Sequence, residues 1–435
     1  MHAYGVGYYK VYMKADMIAI FKKHFYFPLA SYFRFFARIR LQRWQPRIVV
    51  VTGSNGKTTL LHMLEAQIGD KAKYSHHANS SFGIPFDLLD LHRKTLKKEE
   101  WISLLFLAPF HALKNPPKEK IYIVEADCDR PGEGKFLAEF LRHEVVLWVS
   151  TSRTHGMNFE QLILNKQFST IEESIAYEFG FFLEYCSRLA VINGDAALQV
   201  EQQKRTKAEV KKVTKKNLEK YEVTKEGTTF VIAGDHYHFS YLLPKAVFGS
   251  IVMCKEAVAY LGLPFDAKFS HFSLPPGRSS IFQGIKNTTI IDSSYNANLS
   301  SMTEILEMFA QLPGDKKWAV IGDMLEQGEG EEEEHEKLAA LLLTYNFDRI
   351  LFMGPRVSKY TYPKLQNKTK VETFLGPKEL LDYLTKNISG GETILFKGAR
   401  FMEGVIEHLL QDKKDVAKLA RREEMWEIRR KKWGL

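Results

Sequence analysis

Residues 48–59, Ile-Val-Val-Val-Thr-Gly-Ser-Asn-Gly-Lys-Thr-Thr, constrain this chain more than any other stretch. The apolar run 48–51 reads as a strand buried on both faces. A tight turn holding Gly53 and Gly56 follows, and then Leu60, Leu61, Met63, Leu64 and Ile68 recur at helical spacing. Strand, glycine turn and helix form a phosphate cradle, because the N–H groups of the turn and of the helix start point at one anion. In such a cradle Lys57 sets a charge on the outer phosphates and the Thr58 hydroxyl is placed to ligate Mg²⁺. The eight-residue P-loop would need glycine where Val51 stands, so the pattern is the shorter T-G-x-N-G-K-T form.

A chain of 435 residues has room for about three domains, and 45% hydrophobic residues supply their cores. The net charge of +9 suits an anionic partner. Cys128, Cys186 and Cys254 lie far apart, which argues against a cysteine zinc site or a disulfide framework and points to a reducing cytosol. No stretch of 18 apolar residues occurs. The longest candidate, 102–113, is too short to span a membrane and contains Pro109 and His111.

Residues 1–47 mix aromatic with basic residues, and Asp16 is their only acid. Two readings fit: a pair of helices packed on the next domain, or an interfacial segment on anionic lipid that would hold the protein peripherally at the inner membrane face. Residues 48–195 alternate strand and helix, with strands expected at 48–51, 121–124, 145–149 and 189–192. Glu125 follows one of these strands directly, placed to hold Mg²⁺, and His155 follows another. The lysine-rich stretch 196–222 reads as a solvated helix; it lacks interleaved aromatics, so no nucleic-acid partner is expected. Residues 223–243 alternate as a hairpin around Gly234-Asp235, and 246–262 read as an apolar helix ending at Gly262.

The prolines of 263–276 suggest a hinge before a second α/β unit. Its strands are expected at 288–291, 318–321, 349–353 and 393–396, with helices at 302–309, 333–343, 377–385 and 402–410. The fold class is therefore α/β: a central P-loop-type ATPase domain with a mostly parallel sheet, then a Rossmann-like α/β domain. The expected limits are 1–47, 48–273, 274–410 and a basic helical tail, 411–435.

Together these motifs resemble the Mur ligase family, and within it the branch that adds D-Ala-D-Ala to a UDP-linked muramyl tripeptide. Thr52 to Thr59 looks like the family's ATP loop. Asn79-Ser80-Ser81-Phe82-Gly83-Ile84-Pro85 looks like its N-x-N-N-x-x-G-x-P segment. Glu125 with Arg130-Pro131-Gly132-Glu133 resembles its magnesium-binding strand end. Pro276-Gly277-Arg278, Ile291-Asp292, Ser294 to Asn298, Gly322 to Glu326 with His335, and Lys397-Gly398-Ala399-Arg400 are similar to its C-terminal motifs. The resemblance implies an ATP- and Mg²⁺-dependent amide ligase of cell-wall synthesis; the alternatives are another acid–amino-acid ligase of the same superfamily, of polyglutamate or cyanophycin type, and a non-catalytic ATP-binding partner protein. A substrate carboxylate becomes an acyl phosphate, which the amine of an amino acid or dipeptide then attacks. It implies catalytic roles for Lys57, Glu125 and His155, with Thr58, Glu125 and His155 on Mg²⁺. It implies ATP contacts from Gly53, Asn55, Gly56, Lys57, Thr58 and Thr59, and closure over the nucleotide by Arg278, Asp292 and Asn296. Asn79, Ser80, Lys397 and Arg400 would face the cell-wall peptide precursor and the incoming amine.

Three departures shape further expectations. Only 47 residues precede the ATP loop, where the family carries a UDP-sugar domain, so a lipid-linked acceptor is an alternative to a UDP-linked one. The family's carbamylated lysine is replaced by Phe179, which leaves two alternatives: the neighbouring Glu178 supplies the carboxylate, or the second metal is bound differently. The family's G-x-H-N-x-x-N run is absent from 245–251.

Overall fold

The computed structural model describes residues 5–76, 78–93, 99–398 and 401–435, with side chains from Phe25 onward. Six parallel strands form the central sheet: β1 Arg47–Thr52, β2 Ala72–Tyr74, β3 Ile121–Ala126, β4 Val145–Trp148, β5 Leu189–Asn193 and β6 Glu209–Val213. Their order is β2-β3-β1-β4-β5-β6. Successive side chains of a strand point to opposite faces, so both faces need cover. On β1, Ile48 and Val50 enter one core and Val49 and Val51 the other. The first core is closed by residues 25–44 of helix α1 (Gly5–Trp44), by α3 (Gly83–Leu89), α4 (Glu100–Leu113) and α5 (Glu133–Leu141), and by the helix Ile171–Glu184. The second is closed by α2 (Lys57–Ile68), the helix Val247–Leu261 and an antiparallel sheet of β7 Leu218–Thr224, β8 Gly227–Ile232 and β9 Asp235–Phe239.

From β1 the chain moves out to β2, and from β3 it crosses β1 to β4. The two connections leave adjacent strand ends in opposite directions, which opens a crevice at the carboxyl ends of β1 and β3. Parallel pairing sets Val51 beside Glu125 and Thr52 beside Ala126 at its floor.

A second sheet takes β10 Ser280–Gln283, β11 Thr289–Ser293, β12 Lys317–Gly322, β13 Arg349–Met353, β14 Val371–Phe374 and β15 Thr393–Lys397 in the order β10-β11-β15-β12-β13-β14. Only the β10–β11 pair is antiparallel. Helices Leu299–Gln311 and Glu331–Leu342 cover one face, and Pro377–Asn387 and Met402–Leu409 the other.

Three expectations change. Residues 196–222 are not one surface helix. A short helix, Ala197–Gln202, leads to the edge strand β6 and then into β7. Pairing along β5 supplies hydrogen bonds that composition does not reveal, and the Lys and Glu side chains of β6 keep that edge from pairing further. The tail is not one helix but a 3₁₀ turn, Lys413–Lys418, and a helix, Glu424–Lys432. The N-terminal segment forms one helix rather than two. From Phe25 onward it is packed on the domain: Ala30, Phe33, Ala37, Leu41 and Trp44 share one buried stripe, and Trp44 Nε1 donates to the Glu119 carbonyl at 2.6 Å. Side chains before Phe25, on which part of the lipid reading rests, lie outside the described residues. No helix of the described residues is long and apolar enough to cross a membrane.

Candidate active site

The glycine loop is shaped by two close approaches. Gly53 has φ 128°, and a Cβ there would lie 2.7 Å from the Ser150 carbonyl oxygen. Gly56, with φ 83°, caps α2, and its Cβ would meet Val149 Cγ1 at 2.9 Å. Only glycine meets both demands without displacing β4's exit. The loop is fastened there: Ser54 N donates to Ser150 O at 3.0 Å and Asn55 N to Ser150 Oγ at 2.8 Å. This leaves the start of α2 open as an anion cradle.

Lys57 is buried at the first turn of α2. Its Nζ donates to the Gly53 carbonyl at 2.5 Å and pairs with Asp127 at 2.7 Å. Burial pulls this ammonium's pKa down, but the charges of Asp127 and Glu125 outweigh it and hold it above the usual value. Lys57 is therefore a fixed cation at the loop.

The end of β3 carries alternate acids, Glu125, Asp127 and Asp129. Glu125 is anchored through its backbone N–H to Ser75 Oγ at 2.9 Å. Asp127 and Asp129 converge with His155: one ligand atom from each lies within 4.8 Å of the others. His155 Nε2 is 3.3 Å from Asp129, and Nδ1 is 2.5 Å from Glu326 of the second unit. Burial lowers the imidazolium pKa, but the Glu326 hydrogen bond and the nearby aspartates raise it to about 9. Burial and Asp127 push the Asp129 carboxyl up to about 6, against the pull of His155. Two carboxylates and an imidazole at this spacing fit a hard divalent cation, provided the imidazole gives up its proton.

Glu178 does not join this group. It accepts hydrogen bonds from Gly132 N at 2.7 Å and Gly134 N at 3.0 Å, holding the start of α5. Phe179 is buried and packs its ring against Trp148, with centroids 5.9 Å apart. The expectation that Glu178 supplies the missing metal carboxylate is thus corrected. Asp127 and Asp129, which sequence reasoning missed, are the carboxylates beside His155. Their signal was the alternation after Glu125, which turns every second side chain of an extended segment the same way.

The second unit reaches the loop directly. Arg278 lies over the Tyr295 ring and makes a long 3.5 Å contact to Thr58 Oγ1. Asn298 Nδ2 donates to Asn55 Oδ1 at 3.0 Å. Asp292 is buried; its Oδ1 accepts from Ser294 N at 3.0 Å while Oδ2 has no partner, and burial raises its pKa. A buried carboxylate oxygen left without a hydrogen bond fits a ligand hydroxyl. Lys397 Nζ donates to the Asn296 carbonyl at 2.8 Å, and burial with the nearby Arg278 charge brings its pKa down to about 7. The Asn296 side chain accepts from Ala297 N. Thr59 sits half-buried in the first turn of α2.

On the other side of the crevice, the Asn79 carbonyl accepts from Asp127 N at 2.8 Å and Ser80 Oγ accepts from Gly83 N at 3.1 Å. Glu133, fully buried, binds Ser81 N and Oγ and the Tyr26 hydroxyl of α1. Arg400 lies outside the described residues.

Two connected α/β units with a glycine loop and acidic strand end between them define a nucleotide-dependent enzyme. The Mur ligase middle domain matches residues 51–245, and the Mur ligase, glutamate ligase domain matches residues 277–400. The chain belongs to the Mur ligase family. It is 26% identical over 387 residues to the UDP-N-acetylmuramoyl-tripeptide–D-alanyl-D-alanine ligase of Bacillus subtilis, covering 86% of this chain and 78% of that one. The fold is similar to the MurF ligase of Thermotoga maritima solved with ADP: TM-score 0.70, 21% identity, 89% of this chain and 84% of that one. It is also similar to a folylpolyglutamate synthase of Mycobacterium tuberculosis, with TM-score 0.57, 13% identity, and 86% and 94% of the two chains covered.

Proposed function

We propose that this chain is an ATP-dependent amide ligase of cell-wall peptide synthesis, acting on the cytosolic side where ATP is available. It would convert the carboxylate of a muramyl peptide to an acyl phosphate and join it to the amine of an amino acid or dipeptide. The observation that carries this reading is the meeting of the two units at the glycine loop, where Arg278 touches Thr58 and Asn298 pairs with Asn55. A site completed by two units can close around a reactive intermediate and keep water out. The names of the relatives support the same chemistry.

The residues present fit ATP and Mg²⁺. The backbone from Gly53 to Thr59 and the Lys57 ammonium would hold phosphates; Asp292, with its unpartnered oxygen, and Asn296 would face the nucleotide. Thr58, Glu125 and His155, with Asp127 and Asp129, would hold the metal. When bound, ATP supplies the phosphoryl group and Mg²⁺ neutralises charge on it. The chain's own contribution is positioning and fixed charge. Lys57 and Arg278 place cations on two sides of the loop. Asp127 holds Lys57 in place, and Glu326 orients the His155 ring. Lys397 from one unit and Asn79 and Ser80 from the other would contact the two substrates.

The test is phosphate release from ATP with Mg²⁺ against muramyl peptides, UDP-linked and lipid-linked, crossed with amino acids and dipeptides. Release that needs one acid and one amine together is expected. No release with any pair, despite ATP binding, overturns the ligase reading.

A further inference from the structure

Helix α4 turns its apolar side outward. Ile102 is 61% exposed, Phe106 and Phe110 are each 70%, and Leu113 is 68%, with Leu107 also exposed. These positions recur at four- and three-residue steps and so form one stripe. The opposite side of the same helix, Leu104, Ala108 and Ala112, is buried in the core. Beside the stripe runs the outer face of α1, where Phe25 and Phe35 are exposed and Tyr32, Phe36 and Ile39 are half-covered. Tyr32 joins the two helices by donating to the Leu105 carbonyl at 2.8 Å. A shallow apolar groove follows the seam, lined by Tyr32, Ile102, Leu105, Phe106, Pro109 and Phe110. Single exposed apolar residues are ordinary; a continuous patch of this kind marks a contact surface.

The rim identifies what covers it. Arg38 and Arg43 are exposed on α1, and Arg43 donates to the Ala112 and Lys114 carbonyls at the end of α4. Lys114, Lys118 and Lys120 are exposed just beyond that end. Glu119 is the one acid in the stretch 114–120. An apolar stripe beside this cationic rim suits a membrane interface, where acyl chains take the stripe and anionic headgroups take the lysines and arginines.

We infer that the α1–α4 face docks this protein peripherally on an anionic bilayer. Phe106 and Phe110 insert, and Lys114, Lys118 and Lys120 bind headgroups. The glycine loop belongs to α2, which packs in the opposite core, so docking leaves the nucleotide crevice open.

The test is co-sedimentation of the full chain with phosphatidylglycerol/phosphatidylcholine vesicles and with phosphatidylcholine alone. Binding to the anionic vesicles is expected, weakened several-fold in about 0.5 M salt. Phe106→Asp with Phe110→Asp should lower the bound fraction at least about ten-fold, whereas Phe106→Leu with Phe110→Leu should retain it. Both side chains are exposed, so circular dichroism should be unchanged. No vesicle binding by the wild-type chain, or full binding by the double aspartate variant, overturns the inference. So does a wild-type dimer in ultracentrifugation that the aspartates convert to monomer, since the face then belongs to a second copy.

Discussion

Asn55 and Asn298 exchange side-chain hydrogen bonds, Asn298 Nδ2 to Asn55 Oδ1 at 3.0 Å and Asn55 Nδ2 to Asn298 Oδ1 at 3.3 Å. The first belongs to the glycine loop, and the second caps the helix Leu299–Gln311, where its Oδ1 accepts from Ser301 N. One side chain therefore sets a helix start in the second unit and ties that unit to the phosphate loop of the first.

Those two roles can be separated. Serine also caps helices well, so Asn298→Ser should keep stability within about 0.5 kcal/mol while losing the bridge; Asn298→Ala should cost about 1 kcal/mol more. Asn55→Ala and Asn298→Ser should each raise the KM for ATP, and the double variant should be no worse than either. Additive effects in that cycle would mean the pair does not act as a unit.

Lys57→Ala should lower kcat by about 10³-fold or more, as expected for removal of a fixed charge at a reacting phosphate. It also leaves Asp127 without its partner, at a cost of about 3 kcal/mol in denaturant unfolding. Adding Asp127→Asn should recover much of that stability but none of the turnover. Turnover by the single variant would remove Lys57 from the chemistry.

The acids near His155 predict an asymmetry. Asp129→Asn should raise the Mg²⁺ concentration for half-maximal activity about ten-fold, because it removes a carboxylate from the group around the imidazole. Glu178→Gln should leave that requirement unchanged and lower stability by about 1–2 kcal/mol, because it holds N–H groups at the start of α5. A reversed pattern in a magnesium titration would return the metal role to Glu178.

His143 makes the fold sensitive to acid. It is fully buried, one ring nitrogen bonds the Phe182 carbonyl at 2.7 Å, and Nδ1 has no partner. Burial lowers its pKa to about 4, although the Phe182 bond opposes this. The unfolded chain, with an ordinary histidine value near 6.5, binds the proton more readily between those limits. Its contribution to stability is thus complete above about pH 6.5 and is lost as pH falls towards 4. His143→Gln should flatten the stability–pH slope there by up to one proton. An unchanged slope would assign the acid sensitivity to other groups.

The sequence by itself determined the frame. Continuous apolar runs at 48–51, 121–124 and 350–353 became buried parallel strands, because a strand covered on both faces has no polar side to show. Gly53 and Gly56 were legible as a phosphate loop, because positive φ and close backbone approach are demands a single residue type answers. Only the tertiary structure decided which carboxylates stand beside His155. Asp129 and Glu178 are both acids near a strand end or helix start, and the choice depends on how α5 packs on the helix Ile171–Glu184. It alone joined Asn55 to Asn298, and it alone turned the apolar stripe of α4 outward. Local periodicity sets which residues share a face. Which face meets solvent, and which distant residues meet each other, follows from long-range packing that no short window of sequence contains.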